Sequence, residues 1–266
     1  MGSVSDFSLT VLGARGSLPV FGPDFAQFGG STSCYLVQAG DQAVFLDAGS
    51  GLCSAPVDFS VPPAILLSHL HLDHVVGLGM YARLSQRGKA TSIYVPAEDE
   101  QAAEDSLNRL YEPPYWPVHL KDYAGDVDIL PQTFPLRIGG ITIESMEGYH
   151  PGGCRIFRLS YGEKSLVYAT DQELEEPGLA RLSEFARGTD LLMLDGQYTK
   201  EECSCRKGFG HSSPETGLAL MERCGAKQLL LIHHDPHSTD EDLLRREGSL
   251  GCGNARFARQ GEVLFL

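Results

Sequence analysis

The six residues His69-Leu70-His71-Leu72-Asp73-His74 hold three imidazoles and a carboxylate, the ligand types that zinc, manganese or iron take. They follow the short apolar run Ala64-Ile65-Leu66-Leu67-Ser68, which is bounded by Pro62-Pro63 and reads as a buried strand. On an extended segment leaving that strand, His69 and His71 are two apart and project to the same side. Asp73 and His74 open the next periodic segment, Val75 to Leu84, which reads as a helix. A helix start can turn both side chains back toward a second metal. A chance polar loop is a poorer account of so dense a set of ligands.

The other metal-type residues fall where strands end. Strands are predicted over Phe7–Leu12, Ser33–Val37, Ala43–Leu46, Ile65–Ser68 and Ser92–Val95 in the first half. The second half repeats the style with Ile141–Met146, Arg155–Leu159 and Ser165–Ala169, the last two joined by a turn at Gly162-Glu163-Lys164. Leu191–Leu194 and Gln228–Ile232 are continuous apolar runs and belong inside a sheet. Helices are predicted over Leu179–Arg187, Pro214–Cys224 and Thr239–Arg246, with Ser213-Pro214-Glu215 a good helix start. Asp47, His69 to His74, His150, Asp171 and His233 then lie at strand ends. Their convergence on one edge is what a two-sheet sandwich with outer helices delivers. His233 and His234 compete for one place. His233, directly after Leu229–Ile232, is favoured, because adjacent residues leaving a strand point oppositely.

With these segments in order, the chain resembles the metallo-β-lactamase superfamily. The resemblance runs over essentially the whole chain: Asp47 in FLDAGSG, HLHLDH, His150 in YHPGG, Asp171 in VYATDQE, His211 in GFGHSSPE and His233 in LLLIHHDP. LGARGSLP, GHSSPE and HHDP are similar to the phosphodiesterase branch that includes ribonuclease Z. The resemblance implies an α+β (layered α/β) fold: a single-domain four-layer αββα sandwich over residues 1–266, with a lid or insertion at about 98–135. It also implies a dinuclear site. His69, His71 and His150 would hold one metal, Asp73, His74 and His233 the second, and Asp171 would bridge. Two divalent ions a few ångströms apart need a shared anion, and a water between them ionises near neutral pH. Zinc is the default, with manganese or iron also compatible.

By the same resemblance Asp73 and His211 are catalytic, His211 as general acid or as a donor to a phosphate oxygen. Asp47 is expected to orient metal-bound histidines from behind, a role also open to His234. Three substrate contacts are expected. Arg15, in Gly13-Ala14-Arg15-Gly16-Ser17, could fork onto phosphate oxygens. Tyr115 and Trp116, in the stiff segment Glu112–Pro117, could stack on a base. The alternatives are a tight turn for the first and a core plug for the tryptophan.

Composition narrows the substrate. The 266 residues carry 21 basic and 35 acidic side chains, a formal charge of −14, the wrong sign for gripping long polyanions. No apolar run approaches the roughly 20 residues that span a bilayer, and MGSVSDFSLTVLG has no basic start or apolar signal core. Seven scattered cysteines without a CxxC pair fit reduced thiols in a cytoplasmic protein, and Cys203-Ser204-Cys205 is a weak candidate for any metal or disulfide role. The reading is a hydrolase in which a metal-bridging hydroxide attacks a small phosphodiester: a cyclic nucleotide, a nucleotide diester or a short oligonucleotide. No long nucleic acid and no membrane partner is expected, and a homodimer is expected by analogy. The alternatives are a thioesterase or lactonase on the same metals, ribonuclease Z-like RNA processing, and a non-catalytic metal-binding domain.

Overall fold

The computed structural model describes residues 6–266. Met1–Ser5, part of the stretch read above for an export signal, lie outside the described residues. Alternating burial makes Phe7–Gly13 the first strand, β1. β2 (Cys34–Ala39) and β3 (Gln42–Leu46) form a hairpin around Gly40. Then come β4 (Ala64–Leu66), the single turn α1 (Leu72–Val75), β5 (Ala90–Val95), α2 (Glu100–Asn108) and β6 (Asp126–Pro131). A second set follows: β7 (Leu136–Ile138), β8 (Ile141–Gly148), β9 (Cys154–Tyr161) and β10 (Lys164–Ala169). After it run α3 (Gly178–Phe185), β11 (Leu191–Asp195), α4 (Lys200–Cys205), α5 (Pro214–Cys224), β12 (Gln228–Ile232), α6 (Asp240–Gly248), β13 (Ala255–Phe257) and β14 (Val263–Phe265).

Two seven-stranded sheets result, in the orders β14-β1-β2-β3-β4-β5-β6 and β13-β12-β11-β10-β9-β8-β7. Each begins as antiparallel pairs and continues parallel, from β3 to β6 and from β10 to β13. The buried apolar side chains form three clusters. Leu9, Val37, Phe157, Leu166 and Leu230 fill the space between the sheets. Phe45, Ile65, Ile93 and Leu107 pack the first sheet on its helices, and Leu192, Leu194, Leu220 and Leu243 pack the second on α3, α5 and α6. Three cores separate four layers, so the fold is the αββα sandwich. Within β11, Leu191 and Met193 serve the central core while Leu192 and Leu194 serve the outer one. That period of two is why the strand reads as unbroken apolar sequence.

The segment Val75–Leu84 is not one helix. α1 stops at Val75, and two 3-10 turns follow at Leu78–Met80 and Ala82–Ser85. Glycine explains the break: a Cβ on Gly77 would stand 2.1 Å from the Gly49 carbonyl oxygen, and the Gly77 N–H donates to Ala48 O at 2.8 Å. The chain passes the loop after β3 too closely to stay regular. Residues 98–135 hold α2, capped by Asp99, and β6, which pairs parallel with β5. Ala103 and Leu107 of α2 are buried in the core of the first sheet. All seven cysteines are free thiols. Burial is the first of several causes pushing Cys203 up to about 11. No helix of the described residues is long and apolar enough to cross a membrane.

Gly77→Ala should lower the unfolding free energy by about 1–3 kcal/mol through overpacking against backbone. The measurement is the urea midpoint at constant slope. A shift equivalent to under about 0.5 kcal/mol, the usual range for an unconstrained site, would mean that the Gly49 loop yields freely.

Candidate metal centre

β3 and β4 run parallel, as do β10, β11 and β12, and the carboxyl ends of these five strands, with that of β8 for His150, supply the site. Among the described residues, four that are not glycine have positive φ: Ser17 at 62°, Asp47 at 58°, Asp171 at 47° and His233 at 58°. Left-handed backbone at such positions costs on the order of 1 kcal/mol or more each. Asp47, Asp171 and His233 leave β3, β10 and β12, and the twist turns each side chain to the shared edge.

Asp171 stands in the middle, with its two oxygens facing different histidines. Its Oδ1 lies 3.2 Å from His74 Nε2 and 3.3 Å from His233 Nε2. Its Oδ2 lies 3.6 Å from His69 Nε2 and 3.5 Å from His150 Nε2. His71 Nδ1 meets His150 Nε2 at 3.1 Å. Asp73 Oδ2 is 3.1 Å from His233 Nε2 and 3.3 Å from His74 Nε2, and accepts the Ser17 N–H at 2.7 Å. Ligand atoms of His69, His71, His150 and Asp171 all lie within 4.8 Å of one another, as do those of Asp73, His74 and His233.

The far side of each ring is held. His74 Nδ1 bonds Asp47 Oδ2 at 2.7 Å, His233 Nδ1 bonds Gln197 Oε1 at 2.8 Å, and His150 Nδ1 bonds Gly210 O at 2.9 Å. His69 Nδ1 meets Ser68 Oγ at 3.0 Å. Such bonds aim the remaining nitrogen inward. Asp47 is fully buried and also accepts from Ser68 N (2.6 Å), Ser68 Oγ (2.7 Å) and Tyr168 OH (2.6 Å).

The charges show what this geometry requires. Burial opposes ionisation throughout, yet Asp171, Asp73 and Asp47 together hold His74 well above the usual histidine value. Against the same burial, Asp171 and the hydrogen bond that His233 donates to Asp73 lift His233 to about 9. Asp171 and Asp73 overcome burial through these imidazoles and stay well below the carboxylate range. His69 goes the other way, pushed down by burial and then by charge on His74. Its Nε2 is buried with no hydrogen-bond partner. An orphaned nitrogen beside buried carboxylates fits a cation: His74 and His233 carry the positive charge as protons, and divalent ions would displace them.

His211 lies at the margin of this cluster. Its Nδ1 bonds Asp195 Oδ2 at 2.7 Å, and its ring stacks on His233 at 5.0 Å between centroids. Asp195 ends β11 and also accepts the Gln197 N–H at 2.9 Å. Sequence reading missed Asp195, Gln197 and Tyr168. Asp195 had a usable signal, since it closes an apolar strand as Asp47 does; Gln197 and Tyr168 had none.

Three residues expected at the site or behind it, Arg15, His234 and Trp116, are engaged elsewhere. Arg15 is fully buried and turned from the cluster. It donates to the carbonyls of Gly29 (2.8 Å), Asp235 (3.0 Å) and Ser238 (2.7 Å), and burial lowers it to about 10. It is a structural tie, not a phosphate fork. His234 faces away from His233, as alternation requires: its Nε2 bonds Ala258 O at 2.8 Å, its ring packs on Phe28 and Phe257, and burial lowers it to about 3. It therefore does not back a cluster histidine. Trp116 donates its indole N–H to Tyr123 OH at 2.9 Å and packs edge-on against Tyr111. Its ring walls an apolar cavity of about 440 Å³ shared with Leu72 and Tyr115, and of the pair only Tyr115 is well exposed, at 81%.

Residues 17–234 match the family described as the beta-lactamase superfamily domain. The probable metallo-hydrolase YhfI of Bacillus subtilis (strain 168) is 27% identical over 266 residues, covering 96% of this chain and 98% of that one. The crystal structure of YhfI superposes with a TM-score of 0.73 at 22% identity over 98% and 99% of the two chains. A diphosphatase of the PhnP family superposes at 0.70 with 20% identity over 98% of each. Ribonuclease Z of Ignicoccus hospitalis is 26% identical over 241 residues, 73% of this chain and 79% of its own.

Arg15→Met should lower the unfolding free energy by about 2–4 kcal/mol, because it strands buried carbonyls that now accept charge-assisted bonds. Urea denaturation reads this directly. A variant as stable as the parent would return Arg15 to the role of an anion-binding fork.

Proposed function

This chain belongs to the metallo-β-lactamase superfamily as a metallo-hydrolase, and we propose that it is a dinuclear metal-dependent phosphodiesterase for small phosphodiesters. His69, His71 and His150 would hold one ion, Asp73, His74 and His233 the other, and Asp171 would serve both through its two oxygens. When bound, two divalent ions, zinc by default, supply Lewis-acid charge to the phosphoryl oxygens and an ionised water as nucleophile. The observation that carries the reading is the His211–Asp195 pair, with Nδ1 at 2.7 Å from Oδ2 and a ligand atom of His211 within 4.8 Å of those of Asp171 and His233.

Asp195 accepts from Nδ1–H at 2.7 Å and fixes the ring, so that in the doubly protonated imidazolium the Nε2–H is the proton turned to the substrate. A phosphodiester expels an alkoxide, which needs a proton at departure, and His211 Nε2 supplies it. A thioester expels a thiolate that leaves readily without one, so the dyad favours the diester. The small size of the substrate is supported by charge. Near the His211 loop Arg206 faces Glu202 and Lys207 faces Glu175, so those cations are already paired and form no basic track for long RNA.

The test is hydrolysis of 2′,3′-cyclic AMP, whose leaving group is an alkoxide, by zinc-reconstituted protein beside a thioester and a lactone. Chelation should abolish diester cleavage and added metal restore it. His211→Ala should lower kcat by about 10²–10⁴, the usual worth of a general acid, and Asp195→Asn should lower it by a smaller factor. Thioester or lactone turnover without diester cleavage, indifferent to His211, would overturn the reading.

A further inference from the structure

We infer that a cavity beside the metal cluster is a second anion-binding subsite, with Arg155 as its cation, and that the substrate's ester arm carries a further phosphate group. This rests on the phosphodiesterase reading and names the substrate class more narrowly. The cavity, about 360 Å³, is lined by His69, Pro96, Glu147, Gly152, Gly153 and Arg155 among others. It adjoins the histidines that would hold the first ion. His69 forms part of its wall, and a Cβ on Gly152 would come within 3.8 Å of His71 Nε2.

Arg155 is half-buried, and its backbone N–H donates to Ser68 O at 3.0 Å, tying β9 to the segment that carries His69. Its guanidinium lies 5.6 Å over the Phe134 ring. Among the described residues it has neither a carboxylate partner nor a hydrogen-bond acceptor. The buried arginines Arg15, Arg83 and Arg246 are by contrast all bonded to backbone carbonyls. In a chain with 35 acidic and 21 basic residues, an unpaired arginine facing a cavity at the cluster is not a general surface charge. Glu147 lies directly across the β8–β9 ladder from Arg155, but it is exposed at the rim and no ion pair joins them. Gly152 and Gly153 hold φ at 83° and 87°, and nothing stands within 4 Å of a Cβ on Gly153. The turn therefore leaves room for a group the size of phosphate. A guanidinium already fixed on an aromatic face loses little freedom in taking two phosphate oxygens at once.

Calorimetric titration of the zinc-loaded protein with thymidine 3′,5′-bisphosphate and with thymidine 5′-monophosphate reads this subsite without turnover. The bisphosphate should bind about tenfold or more tightly, the worth of one charge-assisted contact. Arg155→Met should bring the ratio close to one, and Arg155→Lys should keep part of it. Glu147→Gln, which removes the rim carboxylate, should widen the ratio, and it tests the subsite even if Arg155→Met does not fold. A ratio near one in the parent, or one unmoved by Arg155→Met, overturns the inference. Bisphosphate preference without hydrolysis of any diester keeps the subsite and sinks the phosphodiesterase reading; diester hydrolysis without the preference does the reverse.

Discussion

The burial of three carboxylates at one sheet edge is the constraint on which the rest of the molecule depends. Asp47, Asp73 and Asp171 are at most 8% exposed, and an unpaired buried carboxylate costs several kcal/mol. Positive charge must therefore sit among them. Imidazoles provide it conditionally, because each can surrender its proton to a cation. The same arrangement that holds His74 and His233 protonated in the bare chain makes the pair good ligands once a divalent ion takes over.

That constraint explains the strained backbone. An ordinary strand exit would leave Asp47, Asp171 and His233 pointing along the sheet. Left-handed φ values swing them to the edge, and hydrogen bonds secure them: Tyr168 from the facing sheet and Ser68 on Asp47, Thr170 Oγ1 on Asp171 at 2.7 Å, and Gln197 on His233. The Gly13–Ser17 turn belongs to the same system. A Cβ on Gly16 would stand 2.3 Å from the His233 ring, and Ser17 donates its N–H to Asp73. The glycine-rich turn thus holds an anion of the protein itself.

Two arginines show how one residue type serves opposite ends. Arg15 donates to three carbonyls through Nε and Nη1 and binds the N-terminal turn to the loop before α6. Arg155 meets an aromatic face and a cavity. On a surface with an excess of acid, the second arrangement leaves a cation beside the cluster without a carboxylate partner. Under the proposed function, that cation would draw a phosphate to the cluster.

The sequence alone determined much of the frame because strands announce themselves locally. Apolar runs such as Leu191–Leu194 and Gln228–Ile232 are buried on both faces, and HLHLDH places its ligands by spacing along a few residues. Alternation after Ile232 was enough to favour His233 over His234. The weaker elements β6, β7, β13 and β14 escaped notice, being short or at sheet edges where burial imposes no clear pattern. The helix over Val75–Leu84 failed because Gly77 answers to Gly49, on a different strand exit. Only the tertiary structure decided where side chains reach. Arg15 finds partners 220 and 223 residues away at Asp235 and Ser238, Asp47 joins Tyr168 121 residues on, and each oxygen of Asp171 takes its own histidines. Periodicity states which face a residue occupies; the neighbour across that face comes from another strand, and local sequence carries no record of it.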